Sequence, residues 1–210
     1  VKSLFADVDF NAKHHLGAVN SINWARILAQ TVYYFLSYFH VQKHLPAGLS
    51  IDDVEIQYVV PTGNFGDILA GYYAKRMGLP MGKLAVATNA NDILARFWKS
   101  GRYEKTDTEI LLSADGRKNT DASGVKETLS PAMDILVSSN FERLLWYLGY
   151  ETAIGASDEE KRENASRTLD NWMHMVKVDG KVEVPASVLE VARRDFIAKR
   201  ISDKLVCIPA

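Results

Sequence analysis

The sequence predicts an α/β fold built as three layers, α/β/α, around a parallel sheet. Three observations predict it. Between residues 54 and 99 an apolar β-type run, a helix-type run, a second apolar run and a second helix-type run alternate, giving β-α-β-α. The two apolar runs, Val54–Val60 and Lys83–Ala87, are nearly continuous, as expected for strands covered on both faces. The chain has 210 residues, 47% hydrophobic and 24% charged, which suits a folded domain with a sizeable core.

The elements follow in order. Val1 to Gly17 reads as a connector. Asn20 to Lys43 reads as one long helix, apolar on most of its circumference and therefore expected to be buried. Lys43, His44, Pro46 and Gly48 mark its end. Asn20, Asn23, Arg26, Gln30, Tyr34 and Ser37 share about one third of that circumference, a polar stripe that needs water or a polar cavity.

The strand Val54–Val60 leads into Pro61-Thr62-Gly63-Asn64-Phe65-Gly66-Asp67 and then a helix from Asp67 to Met77, stopped by Gly78 and Pro80. Ala70, Gly71 and Ala74 give this helix a small side fit to pack closely on a sheet. The strand Lys83–Ala87 precedes a helix from Ile93 to Lys99, with Asn89 or Asn91 expected as its N-cap. Gly101 to Lys126 is a polar excursion holding one short strand, Glu109 to Leu112. Helices are expected over Phe141–Tyr150, Ser157–Val176 and Pro185–Asp203, the last with Val188, Leu189, Val191, Ala192 and Phe196 on its apolar face. This divides the chain into an α/β part (1–100), an excursion returning to it (101–140) and a mostly helical segment (141–210).

The bulk numbers exclude several function classes. Net charge is −1, so nothing electrostatic points to nucleic acid or an anionic membrane. A single cysteine, Cys207, excludes an internal disulfide framework and suits a reducing, cytoplasmic setting. His40 and His44 have helical i,i+4 spacing but no Glu between them in an H-E-x-x-H pattern, so no metal site is expected. The longest apolar stretch, Ile27 to Phe39, is broken by Gln30, Thr31 and Ser37 and falls short of the ~20 residues of a membrane span.

The loop 61–67 carries the chemistry. A small-residue turn between a strand and a helix N-terminus presents backbone N–H groups without internal partners, together with the positive end of the helix dipole. Gly63 and Gly66 permit a close approach that a Cβ would block. The loop is neither a Walker P-loop, since no Lys-Ser/Thr follows, nor a G-x-G-x-x-G dinucleotide turn. By itself it reads either as an anion site or as a tight turn that packs the helix on its strand.

The runs Leu16–Gln30 (LGAVNSINWARILAQ), Val59–Gly71 (VVPTGNFGDILAG), Ala87–Asp92 (ATNAND) and Thr128–Ile135 (TLSPAMDI) stand in this order within residues 16–147. Together they resemble signatures of threonine synthases of the fungal and bacterial kind. The stretch from Glu151 onward is less distinctive. The resemblance implies a pyridoxal-phosphate lyase that converts O-phospho-L-homoserine and water into L-threonine and phosphate, on the fold shared with the tryptophan synthase β-subunit. It implies Gly63, Asn64, Phe65, Gly66 and Asp67 as cofactor-binding residues; since a carboxylate aimed at a phosphate would repel it, the Asp67 side chain is expected to cap backbone N–H groups and hold the loop in shape. Arg26 is then the candidate grip for a substrate phosphate or carboxylate, since its fork can bond either in two places; Asn20, Ser21 and Asn23 are candidates for the same pocket. Arg26 reads equally as a structural ion-pair partner. Asn89, Asn91, Asp92 and Asp134 read as site residues or as caps.

In that family the lysine that holds the cofactor covalently lies upstream in a Phe-Lys-Asp context, and no Phe-Lys-Asp occurs here. The chain begins at Val1 and ends on an apolar run, Leu205–Ala210. It is therefore expected to be the middle portion of a longer enzyme, partnered by the remaining segments of the same polypeptide and inactive by itself. The alternative is a lysine-less remnant of the fold that binds a phosphorylated metabolite.

Overall fold

Short polar side chains decide where the first helices begin. In the computed structural model, which describes residues 4, 7–17, 20–105 and 125–200, Asp7 accepts the Phe10 N–H at 2.9 Å and opens α1 (Val8–His14). Asn23 accepts the Ala25 N–H at 2.9 Å and opens α2 (Trp24–Lys43). This helix starts later than expected because Asn20 spends its side chain on the Ile22 N–H, a local turn that competes with helix.

The first strand is shorter than the apolar run suggests: β1 is Val59–Pro61. Residues 56–58 still lie against the chain that leads into the next strand, with Ile56 O accepting Gly82 N–H and Tyr58 O accepting Ala85 N–H. After the loop, α3 (Gly66–Arg76) ends at Gly78, whose φ of 100° turns the chain out of the helix. β2 (Leu84–Thr88) is buried at all five positions. α4 (Ile93–Ser100) closes on Gly101 at φ 77°, and β3 (Arg102–Glu104) follows.

Beyond the excursion come α5 (Phe141–Thr152), α6 (Asp158–Val178) with Ser157 as N-cap, β4 (Lys181–Glu183), α7 (Ala186–Asp195) and β5 (Phe196–Arg200). β1, β2 and β5 form a parallel sheet in the order β1-β2-β5, running from Val59 opposite Ala85 to Thr88 opposite Arg200. β3 and β4 form a separate antiparallel pair that the sequence did not signal, each being only three residues long.

Three further expectations need correction. The helix expected over Pro185–Asp203 stops at Asp195, and the chain continues as β5. Phe196 explains this: its ring packs within 5.4–6.0 Å (centroid to centroid) of Phe65, Tyr72 and Trp98, so tertiary packing overrides helix propensity. The small side of α3 does not meet the sheet at Gly71. It meets α2, where a Cβ on Gly71 would lie 2.6 Å from the Tyr34 ring.

Finally, α2 is not buried all round. It buries Ile27, Thr31, Tyr34 and Tyr38, while Trp24, Leu28, Val32, Leu36 and Phe39 are 47–64% exposed among the described residues. The expected strand 109–112, Cys207 and the apolar end 205–210 lie outside the described residues.

Residues from 27 to 196 join one apolar core, so α2, α3, the sheet and the later helices hold the loop 61–67 jointly. No helix among the described residues is long and apolar enough to cross a membrane.

Candidate functional site

The loop leaves β1 between β2 and the start of α5. Thr62 extends the ladder by one residue, its N–H donating to Ala87 O at 2.8 Å and its hydroxyl to Val60 O at 2.7 Å. The carbonyls then turn towards the start of α5. Gly63 O accepts Ser138 Oγ at 2.7 Å; Asn64 O accepts the Asn140 backbone N–H at 3.1 Å and Nδ2 at 2.9 Å. Because these peptides are trans, the N–H groups of Asn64 and Phe65 point the opposite way. The first ladder bond of α3 is Leu69 N–H to Phe65 O, so the N–H groups of Gly66, Asp67 and Ile68 precede it.

Phe65 takes the left-handed conformation, φ 63°, at a non-glycine position. That costs of order 1–3 kcal/mol and curls successive N–H groups into a concave nest. The side chain holds the strain in place: it is buried in a cluster with Trp98, Phe141 and Phe196. Phe65 is thus a core aromatic and the loop's anchor at once.

A cavity of about 350 Å³ opens in front of this loop. Residues 61–68 line one side, Ser21, Arg26 and Gln30 another, and Ala132 and Met133 a third. Arg26 is exposed to the cavity and makes no salt bridge among the described residues. Of the other three polar candidates near the start of α2, Ser21 lines the cavity and its carbonyl accepts Asn140 Nδ2, while Asn20 and Asn23 hold local N–H groups. Further along the stripe, Gln30 lines the cavity, but Tyr34 is buried and Ser37 Oγ lies 3.0 Å from the Tyr58 hydroxyl.

Asp67 does not cap the helix. Phe65 holds the N-cap position with no side-chain bond, and the Tyr34 hydroxyl donates to Asp67 O at 2.9 Å and to its carboxylate at 3.3 Å. The protein around Asp67 raises its pKa above the ordinary carboxylate value, and the Tyr34 hydrogen bond pulls the other way. Burial likewise pushes Tyr34 well above the ordinary phenol, so it stays a donor at neutral pH.

The loop after β2 is organised differently. Neither Asn89 nor Asn91 caps α4; Asp92 holds that position without a cap bond and pairs with Arg96 at 3.1 Å. Asn89 Oδ1 accepts Asn91 N–H at 2.9 Å, and its Nδ2 donates to Thr128 Oγ1 and to Asp134 at 2.7 Å. Asn91 exchanges bonds with the Lys126 backbone and donates to Asp134 at 3.1 Å. Thr88 Oγ1, at the carboxyl end of β2, is buried without a partner among the described residues.

Sequence reasoning missed Ser138 and Asn140, which fix the loop's carbonyls. An Asn directly before a helix reads as a cap, and only the tertiary structure brings it against residue 64.

A larger cavity, about 570 Å³, lies along β5. Of its cations, Lys83, Arg96, Arg193 and Arg200 are bonded to carbonyls or carboxylates among the described residues, and Lys99 also lines it.

With this geometry in view, comparison with known proteins is decisive. No family model matches the chain. Over 203 residues, 97% of this chain, it is 57% identical to the threonine synthase of Schizosaccharomyces pombe. It is 50% identical to that of Saccharomyces cerevisiae over 97% of this chain, and 41% identical to that of Pseudomonas aeruginosa over 99%. The chain belongs to the threonine synthase family.

It covers 37%, 35% and 36% of those three proteins, so it spans about a third of the length of the threonine synthases it matches. Solved threonine synthases agree in fold. The yeast enzyme superposes with a TM-score of 0.77 at 49% identity, over 97% of this chain and 34% of that one. The threonine synthase of Brucella melitensis, solved with pyridoxal phosphate bound, gives 0.71 at 38% identity, over 96% and 35%.

Proposed function

We propose that this chain supplies the cofactor-phosphate loop and part of the substrate pocket of a pyridoxal-phosphate-dependent threonine synthase. The reaction would convert O-phospho-L-homoserine and water into L-threonine and phosphate. One observation carries this reading: a strained loop whose carbonyls are held by Ser138 and Asn140 faces a cavity shared with an arginine that makes no salt bridge among the described residues. The residues present fit the cofactor. Loop N–H groups and a helix N-terminus form a nest for a phosphate, and nothing in the loop itself requires a bulky side chain there.

When bound, pyridoxal phosphate supplies an electron sink for charge that develops on the substrate's carbon chain. The rest falls to side chains and backbone. Gly63, Asn64, Phe65 and Gly66 hold the phosphate through backbone N–H groups. Asp67, pinned by Tyr34, keeps α2 and α3 in register beside the loop. Arg26 grips the substrate's phosphate or carboxylate with Ser21 in support, while Asn20 and Asn23 shape the chain that carries them by holding the Ile22 and Ala25 N–H groups. The lysine that the family's chemistry requires has no Phe-Lys-Asp counterpart in this sequence, so the isolated chain is expected to be silent in turnover. A cytoplasmic setting goes with this reading.

The test is substrate kinetics in the full-length enzyme carrying this chain. Arg26→Met should cut kcat/KM for O-phospho-L-homoserine sharply while cofactor absorption stays intact. Wild-type efficiency in that variant would remove Arg26 from the substrate pocket.

A further inference from the structure

The third wall of the cavity comes from a turn remote in sequence. Residues 130–133 form a tight turn, with Met133 N–H bonded to Ser130 O and Asp134 N–H to Pro131 O. Its backbone lies directly over the loop: a Cβ on Gly63 would sit 3.0 Å from Met133 Cα and 3.2 Å from Ala132 O. Gly63 is therefore small for the sake of this turn as much as for any ligand.

The Asp134 carboxylate ties the turn to the body of the protein. Its Oδ1 accepts Asn89 Nδ2 at 2.7 Å, Asn91 Nδ2 at 3.1 Å and Thr128 Oγ1 at 2.7 Å, while Oδ2 accepts Thr128 N–H at 2.9 Å. Two of these donors belong to the loop after β2, so the carboxylate links the carboxyl ends of two adjacent strands through one turn.

We propose that Asp134 is a positioning residue for the anion cavity, which it shapes by clamping the 130–133 turn over Gly63. The inference rests on the proposed function. A charged acceptor saturated by four donors is a strong, directional anchor. Without it, Asn89 and Asn91 lose their shared acceptor and the turn can lift from the loop. The N–H groups around Gly63 would then be hydrated and less well ordered for an anion.

The experiment uses the full-length enzyme, titrated with pyridoxal phosphate by absorbance and with inorganic phosphate by phosphorus NMR. Asp134→Ala should weaken both at folded sites by about tenfold. Leu144→Ala, which opens a hole in the buried core instead, should lower thermal stability and leave both affinities within about twofold.

A double-mutant cycle with Gly63→Ala separates clamping from general loosening. If Asp134 holds the turn down, the added methyl is better tolerated once the turn can lift. The two losses should then fall short of additivity by about fivefold or more. Should Asp134→Ala fail to fold, Asp134→Asn, which keeps one acceptor oxygen, takes its place in the same cycle with a smaller loss. Parent-like affinity in the folded variants, or strict additivity, overturns the clamp while leaving the proposed function standing. If the parent enzyme binds neither probe, both fall together.

Discussion

The loops after β1 and β2 look alike in sequence: each is short, polar and set at the carboxyl end of a parallel strand, where α/β sheets bind ligands. In three dimensions they differ in where their donors go. The loop 61–67 hands its carbonyls to Ser138 and Asn140 and keeps N–H groups free of the ladder. The loop 88–92 spends Asn89 and Asn91 on Thr128, Lys126 and Asp134. One loop is left with donors to offer a ligand; the other uses its donors to hold the scaffold. Position at a strand end marks both, and hydrogen-bond accounting tells them apart.

The largest effect that sharpens this contrast is expected at Gly63. In the full-length enzyme, Gly63→Val should weaken cofactor binding by ~2 kcal/mol or more. It should also lower stability by ~1–3 kcal/mol, because the new side chain meets the Ala132–Met133 backbone. Cofactor titration together with thermal melting reads both; an unchanged dissociation constant in folded protein would leave Gly63 a purely structural turn residue.

Arg26 comes next. Arg26→Lys keeps charge and loses the fork, and Arg26→Met loses both. Each should cost about 2 kcal/mol of transition-state stabilisation, read as kcat/KM per cofactor-loaded site. Since no salt bridge holds Arg26 among the described residues, stability should barely move. A large drop in melting temperature with normal turnover would reverse the assignment.

On the scaffold side, Asn89→Ala should cost ~1–2 kcal/mol of folding stability, since it strips a donor from Asp134 and Thr128 in a nearly closed site. Its effect on cofactor affinity should be smaller than that of Asp134→Ala, because Asn91 and Thr128 still reach the carboxylate. Chemical denaturation and titration of one sample decide the order.

The smallest effect is in pH. Burial raises the Asp67 pKa, so the fold favours its protonated form, and an anion arriving nearby favours that form further. Phosphate affinity should therefore be greatest below the folded pKa of Asp67 and fall as pH rises through it, in a window above the ordinary carboxylate range. Asp67→Asn should flatten that profile. A profile identical in the variant would place the anion too far from Asp67 to sense it.

Much of this was legible in the sequence. The β-α-β-α order and the loop were, because both are local: continuous apolar runs and a Gly-x-x-Gly turn declare themselves within a few residues. What was not legible depends on distant partners. Phe196 turns a helix-like segment into β5 only because Phe65, Tyr72 and Trp98 surround it. Asp67 reads as a cap until Tyr34, 33 residues away, takes its carboxylate. Asn89 and Asn91 read as caps until Asp134 arrives from the next segment. The apolar circumference of α2 suggested full burial, yet among the described residues only the Ile27–Tyr38 line is covered.

The most direct measurement of the central claim is made at Gly66. A Cβ there meets nothing closer than Asn140 Nδ2 at 3.5 Å, and its φ is not in the left-handed region, so the fold accepts alanine. Gly66→Ala should leave stability unchanged or raise it by ~0.4–1 kcal/mol. If the loop grips the cofactor's phosphate through close backbone approach, the same change should weaken pyridoxal phosphate binding to the full-length enzyme by about tenfold. Stability held and affinity lost is the predicted outcome; parent-like affinity in the stable variant would contradict the loop's role as the phosphate site.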